Sequence, residues 1–175
     1  MTVSSPTTET AQTAGTAQAA QAHDANAPRR RWMGVLARAT SAELTEAWAA
    51  WEPKPQVDAI RGPQVGLVMV RGRIGGGGDR FNVGEAAVTR ATLRLSGEPL
   101  AADQVGSAYV LGTAHAHAWL AATFDGLLAD ETVRERVLAD VVEPLERRQH
   151  QRDALRDAEA RSTKVDFFTV ARENG

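Results

Sequence analysis

Two runs rich in β-branched and apolar residues, 65–74 and 85–95, flank four consecutive glycines, Gly75, Gly76, Gly77 and Gly78. No other feature constrains the fold as much. In the second run Ala87, Thr89, Ala91, Leu93 and Leu95 fall on one side and Arg90, Thr92 and Arg94 on the other, the alternation that a pleated strand imposes. The glycines then link two paired strands, with one sheet face toward a core and the other toward water or a partner.

Helical periodicity brackets this sheet. Trp32, Val35 and Leu36 share a face of a short helix over 31–39. Thr40 and Glu43 have the spacing of a capping box, and Leu44, Ala47, Trp48 and Trp51 extend a stripe that Pro53 and Pro55 end. Such spacing makes the tryptophans anchors of a core or a protein interface rather than platforms for a ligand. A third strand is expected at 108–111, then a helix over 115–128 carrying Trp119, Leu120, Phe124, Leu127 and Leu128. Val133, Val137, Val141 and Leu145 mark another helix, which Pro144 bends or interrupts and which the charged run 147–161 continues, with Asp157 and Arg161 one turn apart. Residues 163–170, with Phe167 and Phe168, read as a further strand or a docked extended segment. The expected class is α+β: an antiparallel sheet of three to four strands packed with N-terminal and C-terminal helices. Residues 1–28 are Ala, Thr, Gln and Ser with hardly a large apolar side chain, too little to offset ordering entropy, so a disordered tail precedes a single domain over 29–175.

Composition removes whole classes of function. A net charge of -2 gives no global basic field for nucleic acid or an anionic membrane. The absence of cysteine excludes disulfides, thiolate catalysis and cysteine-held zinc or iron-sulfur clusters. No apolar run approaches the roughly 20 residues of a spanning helix, and the N-terminus lacks the basic-then-apolar order of a secretory signal, so a cytoplasmic location is expected.

Nor does a catalytic set emerge. The glycine run joins two strands and is followed by no Lys-Ser/Thr, so it reads as a hairpin connection and not as a nucleotide-binding loop. His115 and His117 are two apart at the start of a helix and face different ways, which suits surface or capping roles better than a metal site. Glu85, Asp125 and Asp166 have no diagnostic spacing. No catalytic residue, metal or cofactor is expected in this chain. Arginine is frequent while Lys54 and Lys164 are the only lysines; base composition accounts for that more readily than selection for anion recognition, and position, not count, must decide.

Three stretches together resemble one family: residues 66–95, beginning Gly-Leu-Val-Met-Val-Arg-Gly-Arg-Ile; Tyr109-Val-Leu-Gly-Thr-Ala-His-Ala-His117-Ala; and Thr163-Lys-Val-Asp-Phe-Phe-Thr169. With Arg31-Trp32-Met33 they resemble PhnG, of the phosphonate carbon-phosphorus lyase system, across roughly 31–173. The chain departs from the family pattern in its N-terminal extension, in Ala86 where methionine is frequent, and in a longer link between the second and third strands. The resemblance implies a subunit of a core complex with PhnH, PhnI and PhnJ, assisted by PhnL. That machinery exchanges the adenine of ATP for a phosphonate, with nucleosidase chemistry attributed to PhnI. Radical carbon-phosphorus cleavage, which needs S-adenosylmethionine and an iron-sulfur cluster, is attributed to PhnJ. On this resemblance Arg73, Arg80, Arg90 and Arg94 become candidates for acidic partner surfaces or for guiding a triphosphate. His117 matches a family position whose role the resemblance leaves open.

Overall fold

The computed structural model describes residues 26–74 and 77–162. Two helices come first, α1 over Ala27–Arg38 and α2 over Ser41–Ala50. Three strands follow, β1 Gln56–Arg73, β2 Arg80–Ser96 and β3 Gln104–Leu111, pairing antiparallel in the order β1-β2-β3. Helix α3, His115–Ala129, crosses the sheet, and α4, Glu131–Val137, leads through a π-helical turn at Leu138–Val142 into α5, Glu143–Ser162. The α+β class with flanking helices holds.

Local chemistry explains most boundaries. α1 begins at Ala27 with Pro28 in its first turn, where a missing N–H costs nothing. The capping box of α2 is formed: Thr40 Oγ1 accepts the Glu43 N–H at 3.2 Å, and a Glu43 carboxylate oxygen accepts the Thr40 N–H at 2.8 Å. β1 starts nine residues before the expected Val65, because its first half is carried through Gly62 and Pro63 by register shifts between Ala59 and Gln64. A proline without an N–H is tolerated on an edge strand at such bulges. β3 likewise starts four residues earlier than expected; its buried positions there include Gly106, which has no side chain to mark the alternation. Pro144 falls in the first turn of α5, directly after the π-helical turn, so the interruption expected there is real. The strand expected over 163–170 lies outside the described residues.

The core sits between the inner sheet face and the helices. Ala91, Leu93, Leu95, Ala108 and Val110 pack against Ala118, Ala121, Ala122, Phe124 and Leu128 of α3, and Trp48 meets the Phe124 ring edge-on at 5.9 Å. Trp32 and Trp51 are buried, the anchoring role that their spacing indicated. No helix among the described residues is long and apolar enough to cross a membrane.

Candidate functional site

β1 and β2 run together from Gln56 opposite Ser96 out to Arg73 opposite Arg80, whereas β3 covers β2 only from Leu95 to Val88. Beyond Val88 the pair continues as a bare two-stranded ribbon, about 24 Å long at the usual rise per residue. Its side chains alternate across both faces. Val65, Leu67 and Met69 prolong the face on which Thr89 is buried, and Val68 and Val70 occupy the opposite face; these five are 41–65% exposed. Ile74, Phe81 and Val83 crowd the tip at 77%, 45% and 60% exposure. A two-stranded ribbon is marginal in water, and a contiguous apolar surface of this kind marks an interaction site.

The structure separates the candidate arginines. Arg73 and Arg80 are cross-strand partners at the ribbon tip. Arg90 lies ten residues back along β2, roughly 30 Å away, and Arg94 about 13 Å further. Arg90 and Arg94 share the outer sheet face, opposite the buried Thr89, Ala91, Leu93 and Leu95. Arg94 is committed to Asp103, its Nε donating at 3.0 Å. The four therefore do not converge on one anion. His117 is elsewhere again, buried under α1, where its Nε2 lies 2.9 Å from the Leu36 carbonyl oxygen and donates to it. It is not a surface residue. The last carbonyls of α1 run out of intrahelical donors: Leu36 obtains one from His117, and Val35, which accepts the Ala39 N–H, receives Gln149 Nε2 as well, so His117 caps a helix other than its own.

A second cluster surrounds Asp125, 1% exposed in the middle of α3. Its carboxylate accepts from Arg29 Nη2 at 2.7 Å and Nε at 3.2 Å, from Trp32 Nε1 at 3.0 Å and from the Ser107 N–H at 2.9 Å. The bond to Asp125 raises the pKa of Arg29 further. The cluster ties α1 to α3 and β3. Sequence reasoning marked Asp125 as an interior carboxylate without a role; the clue was an aspartate inside an otherwise apolar helix, but Arg29 is 96 residues away and carried no signal. Beside it a groove of about 480 Å³ is lined by Arg29, Trp32, Val105, Arg134, Leu138 and Val142. Its guanidinium groups are occupied: Arg29 on Asp125, and Arg134 on the carbonyls of Leu128 and Ala129 at 2.8 and 2.9 Å. Among the described residues no group of three or more histidines and carboxylates is placed to hold a metal.

Three carboxyls tie the helical layer together and set its acid limit. Burial pushes Asp130 up, but Thr132 and the N–H groups of Ala101 and Ala102 outweigh it and hold it below the ordinary value. Burial likewise opposes, and the bonds from Arg152 and Thr40 overcome, the shift of Glu43, while the bond from Arg31 lowers Glu146. Carboxyls with depressed pKa stabilise the fold above their unfolded values, near 4, and lose that contribution as pH falls through the folded values. Thermal melts should therefore show Tm level from pH 7 to 5 and falling steeply below about pH 4; Asp130→Asn should flatten the fall, and an unchanged profile would contradict the role given to Asp130.

Comparison with known proteins adds a different kind of observation. Residues 27–173 match the family model described as "Phosphonate metabolism protein PhnG". A relative from Rhizobium meliloti (strain 1021), named alpha-D-ribose 1-methylphosphonate 5-triphosphate synthase subunit PhnG, is 49% identical over 146 residues, spanning 83% of this chain and 90% of the relative.

Proposed function

Because this chain belongs to the PhnG family of phosphonate metabolism proteins, we propose that it is an accessory subunit of the carbon-phosphorus lyase core complex. It has no complete active site of its own and supports alpha-D-ribose 1-methylphosphonate 5-triphosphate synthase, which converts ATP and a phosphonate into the ribose 1-phosphonate 5-triphosphate and adenine. The observation that carries the accessory role is the bare ribbon, apolar on both faces, in a chain whose relative is named a synthase subunit. PhnH, PhnI and PhnJ are its partners and PhnL assists, in the cytoplasm.

Omission tests this directly. Co-expression of the chain with PhnH, PhnI and PhnJ, followed by purification, should yield an assembly that releases adenine from ATP with methylphosphonate and PhnL. Without the chain, assembly and adenine release should both collapse; survival of both would refute the assignment. The competing role, arginines acting on the nucleotide, makes another forecast: Arg73→Ala or Arg80→Ala would slow turnover in a complex that stays assembled. The wide separation of the arginines favours the accessory role.

A further inference from the structure

We infer that the ribbon beyond Val88 is an arm that inserts into a cleft of a different subunit, one whose walls are apolar on both sides and whose far end is acidic. This rests on the proposed role as a complex subunit and adds which part of the chain is gripped and by what chemistry. Two observations set the partner's shape. Apolar side chains project from both ribbon faces, Leu67 and Met69 on one and Val68 and Val70 on the other, so a flat surface would leave one of them in water. The ribbon also has two open edges, since β1 is unpaired on its outer side and β2 loses β3 beyond Val88.

Charge sets the partner's sign. Beyond Val88 the arm carries Arg71, Arg73 and Arg80 against Asp79 and Glu85, whereas the whole chain is at -2. Arg71, Arg73 and Arg80 make no ion pair among the described residues. They await carboxylates, and guanidinium groups pair with these bidentately. A second copy fits poorly, because antiparallel arms of two copies would set the tip arginines of one beside Arg61 and Arg90 of the other. A bilayer fits poorly too, because the unpaired N–H and C=O groups along both edges would enter hydrocarbon unsatisfied.

The test uses the full chain co-expressed with the tagged remaining subunits. Leu67→Asp and Val68→Asp, one on each face, should each weaken recovery about thirtyfold, the scale of an interface hot spot. Arg80→Glu places opposite charges across its cross-strand pair with Arg73, which does not weaken the ribbon, and it should also reduce recovery. Each isolated variant should keep the wild-type circular dichroism and Tm. Loss from one face only would overturn the cleft, and unchanged recovery of all three variants would overturn the arm even where omission of the whole chain still abolishes assembly. An isolated chain that dimerises until Leu67→Asp dissociates it, or that floats with phosphatidylserine vesicles, would assign the arm to a second copy or a membrane and overturn the inference.

Discussion

Gly106→Ala is expected to cost about 3 kcal/mol or more, or to prevent folding, an effect at the upper end of overpacking substitutions. Gly106 is on the inner face of β3, opposite Leu93 of β2, under the middle of α3. A Cβ built there lies 1.9 Å from the Ala122 carbonyl oxygen, 2.5 Å from the Gly126 nitrogen and 2.9 Å from the Gly126 Cα. All three are helix backbone, so no rotamer change relieves the clash, and α3 would have to lift from the sheet along its length. Gly126→Ala provides the contrast. Its Cβ meets the Leu95 methyls at 2.5 and 3.0 Å and backbone only at 3.3 Å, the Gly106 nitrogen; a leucine can turn aside, so a loss of about 1–2 kcal/mol is expected. Urea denaturation of both variants checks the order; a Gly106→Ala protein as stable as Gly126→Ala would mean that helix and strand are not in contact there.

That contact also shows why parts of the fold were legible and parts were not. The alternation from Ala87 to Leu95, the capping box at Thr40 and the stripe through Trp119, Phe124 and Leu128 are local patterns, and the structure realises each of them. The outer reaches of β1 and β3 were missed because a bulge around Pro63 and the small Gly106 erase the period on which such a reading depends. For the candidate residues the limit is different. Periodicity placed Arg90 and Arg94 on the outer sheet face, yet it carries no information about how far they stand from Arg73 and Arg80, nor that β3 ends at Leu111, opposite Val88, and leaves the ribbon bare. His117 and Asp125 are determined by partners 81 and 96 residues away, and a one-dimensional pattern does not encode pairings of that range.

Asp125→Ala is expected to destabilise the chain by about 3 kcal/mol, the cost of taking the acceptor away from the donors gathered around it. Three donors lose their acceptor together: the Trp32 indole, the Ser107 amide and the Arg29 guanidinium. The Ser107 amide is part-buried, and the indole is buried and cannot turn to water. Arg29, at 48% side-chain exposure, can; Arg29→Ala instead leaves the 1%-exposed carboxylate without its cation and should cost about 2–3 kcal/mol, and the pair should be strongly non-additive in a double-mutant cycle. Asp125→Asn retains one accepting oxygen but turns an NH2 group toward a donor, and should cost less than the alanine, about 2 kcal/mol. Chemical denaturation measures all four proteins, and a loss of less than about 1 kcal/mol for Asp125→Ala would sink the account. The same series separates positioning from chemistry. A carboxylate that only holds α1 on α3 and β3 predicts that Asp125→Asn, well below its Tm, assembles and supports adenine release at the wild-type rate; a normal assembly with lost turnover would instead mean that this carboxylate reaches substrate within the complex.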